Sequence, residues 1–240
     1  MMVESLRKPS DGEFEGKVVV ATGGSRGIGL ATLTIFAEAG AHPVSFDITK
    51  PDVSGIDFHE VQVTVYGDIE EAAAKVIDDY GQIDVVVNNA AIKVPGRLED
   101  IPLHELKHSA DVNTLGPMFV EKAMLRYLRE TRGVLINVAS GTQSNLPTGR
   151  QVYFRTKGGL VAATWTSHNE YKDEGIRVMG IAPGPVDTRL WRSGQTEEEI
   201  EAALAGGNGP QVLLPRDVGE MIFKLASTNN AHLAGTIYSY

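Results

Sequence analysis

Residues 17–39 constrain this chain more than any other stretch. An apolar run, Lys17 to Ala21, reads as a buried parallel strand. It feeds directly into Thr22-Gly23-Gly24-Ser25-Arg26-Gly27-Ile28-Gly29, after which Leu30 to Ala39 is apolar at helical spacing and Gly40 stops the pattern. Strand, glycine turn and helix form the context in which such a loop holds a dinucleotide. Glycines tolerate positive φ and let the backbone approach a pyrophosphate, and a helix start offers free N–H groups and a positive dipole. The spacing TGxxxGxG is not the GxGxxG of the commonest fingerprint, and a turn of this kind without a ligand is the competing reading of the segment taken alone.

The rest of the chain repeats the alternation. Strands are predicted at 17–22, 43–47, 58–63, 83–88, 133–139, 176–182 and 235–240, and helices at 28–39, 69–80, about 102–130, 151–172 and 215–227. This order implies an α/β fold: a single-domain, Rossmann-like, doubly wound parallel sheet of about seven strands with helices on both faces. Between Asp47 and Phe58 the chain is too short, and too broken by Pro51 and Gly55, for a crossover helix, so an irregular link is expected there. Residues 1–16 read as a loose arm and 17–240 as one domain. The polar segment 189–214, with a short acidic helix at 196–205, reads as a lid on the substrate side.

Composition narrows the function classes. The net charge of −9 and the short basic clusters argue against a nucleic-acid partner, and no apolar run approaches a membrane span. With no cysteine the chain has no disulfide, catalytic thiol or thiolate metal site, which fits a cytoplasmic protein. His104-Glu105-Leu106-Lys107-His108 spells the zinc-peptidase pattern HExxH, but Lys107 sits inside it and no third ligand is evident, so no metal site is expected.

Tyr153 and Lys157, four apart in the predicted helix at 151–172, project from one face. Ser140 ends the apolar strand Val134-Leu135-Ile136-Asn137-Val138-Ala139, at the carboxyl end where parallel sheets bind ligands. A serine facing a Tyr/Lys pair across a cofactor cleft makes an acid–base site. These residues, with the glycine loop, Asn88-Asn89-Ala90-Ala91, Asn113 in Asp-Val-Asn-Thr, and Pro183-Gly184-Pro185-Val186-Asp187-Thr188, resemble the short-chain dehydrogenase/reductase family in order and spacing from Gly16 to Tyr240.

The resemblance implies an NAD(P)-dependent oxidoreductase that interconverts a secondary alcohol and a ketone by hydride transfer. Tyr153 would be the acid/base, Ser140 would hold the substrate oxygen, Lys157 would lower the phenol's pKa and grip the nicotinamide ribose, and Asn113 would hold a relay water. Gly23, Ser25, Arg26, Gly27, Ile28 and Gly29 would surround the pyrophosphate and adenosine ribose. Gln62 and Val63 would meet the adenine. Asn89, Ala90 and Ala91 would line the adenosine side, and Pro183, Gly184, Val186 and Thr188 the nicotinamide carboxamide. Tyr153 and Lys157 touch the cofactor as well. The pocket implied, with Gln143, Leu146, Leu190 and Trp191 beside Ser140 and Tyr153, suits a partly apolar cyclic or aryl alcohol. The short link after Asp47 resembles family members that oxidise cyclic dihydrodiols.

Asp47 bears on the choice of nicotinamide. It falls eighteen residues after Gly29, where a carboxylate accepts hydrogen bonds from the adenosine ribose hydroxyls and repels a 2′-phosphate. Arg26 argues the other way, and Asp47 outweighs it, so NAD is expected ahead of NADP. Several positions depart from the family pattern: Gln62-Val63 at the adenine position, Asn-Asn-Ala-Ala instead of Asn-Asn-Ala-Gly, Arg155 and Thr156 where small residues are common, and a chain that stops at Tyr240 before the usual glycine pair. A catalytically silent dinucleotide sensor on the same fold is the alternative. The resemblance also implies a homotetramer or homodimer built on the helices at 102–130 and 151–172, with Leu160, Val161 and Trp165 off the catalytic face.

Overall fold

The computed structural model describes residues 6–141, 148–206 and 211–239. A seven-stranded, all-parallel sheet runs in the order β3-β2-β1-β4-β5-β6-β7. The strands are β1 (Val18–Thr22), β2 (His42–Asp47), β3 (Asp57–Glu60), β4 (Val85–Asn88), β5 (Val134–Val138), β6 (Arg177–Ala182) and β7 (Ile237–Ser239). The central ones are buried on both faces, so their sequences are continuous apolar runs such as Val85-Val86-Val87 instead of alternating patterns.

Helices cover both faces. On one lie α1 (Gly27–Glu38) and α8 (Pro215–Ala226), where Leu33, Phe36, Val218 and Ile222 pack on Val19, Ala21 and Ile136. On the other, α2 (Tyr66–Tyr80) and α4 (Gly116–Thr131) cover Val18, Val20, Val44 and Leu135 with Ile69, Val76, Met124 and Leu128. α5 (Gln151–Tyr171) lies on this second face, fixed by a buried polar chain. The Asn88 amide donates to Asn137 Oδ1 at 3.0 Å, and Asn137 Nδ2 donates to Thr164 Oγ1 at 3.0 Å. An unpaired buried amide costs about 1–3 kcal/mol, so this chain ties the carboxyl ends of β4 and β5 to one register of α5. Sheet order reverses between β1 and β4, which opens a crevice at their carboxyl ends.

The irregular link after Asp47 is present: no helix lies between β2 and β3. The single helix expected at about 102–130 is instead α3 (Leu103–Ala110), a π-helical turn at Asp111–Leu115, and α4. Pro117 supplies the reason. It has no N–H, so the carbonyl of Asn113, four residues earlier, has no donor at α-helical spacing. Within 189–214, α7 (Glu197–Leu204) is the acidic helix, opened by a Thr196/Glu199 capping box. A short helix, α6 (Arg189–Arg192), precedes it, with Thr188 Oγ1 accepting from Trp191 N at 3.1 Å.

Residues 6–16, read as a loose arm, make specific contacts. Phe14 is buried between Phe36 and Phe223, with ring centroids 4.9 Å from each. Glu13 accepts from the Ser227 hydroxyl at 2.7 Å and the Thr228 amide at 2.6 Å, and these bonds outweigh burial to hold its carboxyl below the usual range. No helix among the described residues is long and apolar enough to cross a membrane.

Candidate active site

The glycine loop connects β1 to α1 at the crevice. Gly27 has φ +52°, and a Cβ there would sit 3.2 Å from the Thr188 methyl, so the loop and the Pro183–Thr188 segment after β6 meet. At Gly29 a Cβ would run into the Gly23 carbonyl and approach Asn89 Nδ2 to 2.7 Å. Asn89 clasps the loop from β4: its Nδ2 donates to the carbonyls of Thr22 (3.0 Å) and Gly23 (3.1 Å). The N–H groups of Asn89 and Ala90 in turn donate to Thr22 Oγ1 at 3.0 and 3.1 Å. Thr22 therefore has a joining role that the sequence pattern did not single out, because threonine at a strand end has no signature of its own.

Asp47 ends β2 beside this loop. Its carboxylate accepts from the backbone N–H of Ser25 at 3.1 Å and of Thr49 at 3.2 Å, while the hydroxyls of Ser25 and Ser45 lie 2.9 Å apart. Arg26 and Gln62 are exposed at the same end of the sheet, and Ile28 is partly buried. The Gln62 N–H donates to Asp68 at 3.1 Å, and Val63 packs where a Cβ on Gly116 would come to 3.0 Å. A shallow cradle lined by glycine and small residues, next to a carboxylate with lone pairs to spare, fits the diphosphate and ribose of a dinucleotide.

Opposite lie the chemical groups. Ser140, just past β5, and Tyr153, in the first turn of α5, are near enough for the Ser140 hydroxyl to act on the Tyr153 phenol. Burial raises the Tyr153 phenol above its ordinary value, and the Ser140 hydrogen bond and the Arg150 charge oppose that rise. Lys157 is 3% exposed, donates to the Val138 carbonyl at 2.6 Å, and is pushed down by burial to about 8. Lys157 was expected to be the cation that lowers the phenol; here the charge acting on Tyr153 is that of Arg150, the residue just before α5. Arg150 lacked any motif that could have drawn attention to it.

Asn113 is fully buried in the π-helical turn. Its Oδ1 accepts from the Ile92 N–H at 2.8 Å, and its Nδ2 donates to the Ile92 carbonyl at 2.8 Å and to Thr156 Oγ1 at 3.0 Å. Thr156 then donates to the Tyr153 carbonyl at 2.8 Å, so the departure at this position bridges Asn113 to the tyrosine's own turn. Both amide hydrogens of Asn113 are used, which leaves its carbonyl groups as the places where it could hold water.

Around these groups, Val186 pairs with Leu213, the Gly141 N–H donates to the Pro183 carbonyl at 3.1 Å, and Gly184 lies partly buried in the same turn. Ala90 and Ala91 follow β4 at the crevice, with Ala90 against Gly23. Leu190 and Trp191, both partly buried, form α6. Gln143 and Leu146 lie outside the described residues. His104 and His108 are exposed on α3, and among the described residues no group of three or more metal-ligating side chains comes together.

The comparisons with known proteins agree with this geometry. The family described as short chain dehydrogenase matches residues 17–199. This chain belongs to the short-chain dehydrogenase/reductase family. Among curated relatives, it is 31% identical to the L-fucose dehydrogenase of Rattus norvegicus over 90% of this chain and 85% of that one. It is 30% identical to the 3-oxoacyl-(acyl-carrier-protein) reductase FabG of Thermotoga maritima over 93% and 96%. Among solved structures, the aldohexose dehydrogenase of Thermoplasma acidophilum superposes with TM-score 0.89 at 26% identity, covering 96% and 94%. A 3-ketoacyl-(acyl-carrier-protein) reductase from Brucella melitensis, complexed with NADH, shares the fold at TM-score 0.84 and 23% identity, covering 95% and 97%. The chain is thus an oxidoreductase of a family that uses a nicotinamide dinucleotide, on a Rossmann-like fold.

Proposed function

We propose that this dehydrogenase interconverts a secondary alcohol and its ketone, with NAD preferred to NADP. The observation that carries the reading is that Ser140 and Tyr153 lie together, the serine hydroxyl acting on the phenol, beside a buried Lys157 at the carboxyl end of β5. In reduction, Tyr153 Oη gives a proton to the carbonyl oxygen; in oxidation it takes one from the alcohol, with Ser140 Oγ holding that oxygen in place. A phenol of pKa about 10 is a weak base near neutrality. The charge of Arg150 favours its ionised form, and Lys157 donates to the nicotinamide ribose. Asn113 holds the relay water through its main-chain carbonyl, since its amide hydrogens are committed to Ile92 and Thr156 and Pro117 withdraws the helical donor. When bound, the nicotinamide supplies or accepts the hydride.

The glycine loop, Asp47, Gln62, Val63, Asn89, Ala90, Ala91 and the Pro183–Thr188 turn hold the dinucleotide, with Asp47 receiving the adenosine ribose hydroxyls. Asn89 acts at one remove, by shaping the loop. A panel of secondary alcohols and ketones with NAD and with NADP, followed at 340 nm, tests the reading. Turnover with a preference for NAD is expected; dinucleotide binding without turnover of any member would favour the silent sensor.

The same family membership supports a homodimer or homotetramer through α4 and α5. Leu160 is buried inside the subunit and so does not serve this contact, whereas Met118 (55% exposed) and Trp165 (50% exposed) present apolar surface there. Light scattering at micromolar concentration checks it, and a monomer would refute it.

A further inference from the structure

Three loops converge over Tyr153: residues 89–98 after β4, the approach to α5, and α6 with its flanks. The Gly96 N–H donates to the Gly149 carbonyl at 2.9 Å, and a Cβ on Gly194 would lie 3.6 Å from Pro95. Lys93 stands where they meet. Asn113 pins the residue before it by both backbone groups, and Lys93 Nζ donates to the Trp191 carbonyl at 3.2 Å. Arg150 is close enough to act on both Lys93 and Tyr153.

The charge balance here is opposite to that of the whole chain. The protein carries 31 acidic and 22 basic side chains. Yet residues 89–98, 139–157 and 183–196 together carry seven basic side chains, of which Arg192 is paired with Asp187 at 2.6 Å and Arg97 with Glu99; Lys93, Arg150, Arg155, Lys157 and Arg189 have no carboxylate partner among the described residues. Residues 142–147, whose structure is not described, contain no carboxylate either. Neither Lys93 nor Arg150 makes an ion pair among the described residues. Burial, with a smaller push from Arg150, brings the Lys93 ammonium down to about 8, as expected for a cation without a counter-charge. A cleft lined by one sign of charge concentrates ligands of the other.

We propose that Lys93 and Arg150 form an anion subsite beside the catalytic tyrosine, so that the substrate is a hydroxy or keto acid whose carboxylate is held by these two side chains. This rests on the alcohol–ketone reading above and names its substrate class. The competing role for Lys93 is a tether for α6 through Trp191. Lys93→Gln separates the two, because glutamine keeps an N–H donor for the Trp191 carbonyl and lacks the charge.

The test uses matched pairs: 3-hydroxybutyrate, 4-hydroxypentanoate, and 3- and 4-hydroxycyclohexanecarboxylate, each against its primary carboxamide. NAD reduction is followed at 340 nm, and calorimetry on the NAD-loaded protein measures binding of cyclohexanecarboxylate and benzoate against their amides. For the best pair, the acid is expected to exceed the amide at least tenfold in kcat/KM or in affinity. That ratio should fall at least tenfold in Lys93→Gln and in Arg150→Gln, chiefly through KM, and return in Lys93→Arg. Amides that match their acids throughout, no binding of either class, or a ratio unmoved by both glutamine variants would overturn the subsite. Turnover of neutral alcohols without acid preference would remove the subsite and leave the reaction standing. Acid-selective binding without reduction of NAD would do the reverse.

Discussion

On the glycine-loop wall of the cleft, the contacts are made by backbone and small side chains: Asn89 to the carbonyls of Thr22 and Gly23, and Asp47 to the N–H groups of Ser25 and Thr49. On the opposite wall, Tyr153, Lys157 and Lys93 are titratable groups moved from their ordinary ranges chiefly by burial. The first wall is a steric device, and in the proposed function it receives the diphosphate. The second holds charge in a place where water would otherwise screen it. A substitution on the first wall should therefore act through fit and loop geometry, and one on the second through protonation and charge.

The sharpest separation is expected from Tyr153→Phe. Loss of the hydroxyl proposed to transfer the proton should lower kcat by a factor of about a hundred or more, while NADH affinity, measured by fluorescence titration, changes by less than threefold. Substantial residual turnover in the pure variant would remove Tyr153 from the chemistry. Gly29→Val is its counterpart on the first wall. The added side chain meets the Gly23 carbonyl and Asn89 Nδ2, so dinucleotide affinity should fall more than tenfold. Stability should drop by about 1–3 kcal/mol; an unchanged melting temperature with intact binding would mean that the loop yields freely.

Asp47→Ala tests which residue governs the nicotinamide choice. The preference for NAD over NADP in kcat/KM should exceed tenfold in the unmutated protein and erode at least severalfold in the variant. Equal use of NADP by the unmutated protein would show that Arg26 prevails.

Lys157→Met probes the cost of the buried charge. A lysine at about 8 in the folded chain, against 10.5 ordinarily, opposes folding by on the order of 3 kcal/mol when protonated. The lost hydrogen bond to Val138 is worth about 1 kcal/mol, so the charge term is the larger. Below pH 8 both folded and unfolded chains hold the proton and the cost is complete. Between 8 and 10.5 the unfolded chain holds more protons, so stability rises with pH. The cofactor-free variant should therefore melt at least about 2 °C above the parent at pH 7, with the gain fading by pH 10. A lower melting temperature at pH 7 would show that the carbonyl bond outweighs the burial.

Much of this molecule can be read from local pattern alone. Continuous apolar runs marked the buried parallel strands, and a glycine-rich turn between strand and helix marked the crevice end of β1. The spacing of Tyr153 and Lys157 put them on one helical face. These signals are short-range, because strand and helix periods and the φ demands of a tight turn act over a few residues. Helix interruption at 111–115 was legible in principle from Pro117, yet the apolar period runs through it unbroken.

Tertiary structure alone decided the electrostatics. Arg150, Lys93 and Tyr153 come together from segments about sixty residues apart in the chain, and burial, the largest cause of the shifts at Tyr153, Lys157 and Lys93, exists only once those segments have packed. Whether Asn113 offers its amide or its carbonyl depends likewise on Ile92 and Thr156 arriving beside it. The sequence determined which chemical groups the protein carries and on which elements they ride. Which of them feel one another's charge was set by folding, since Coulomb and desolvation energies depend on distance and dielectric and not on order along the chain.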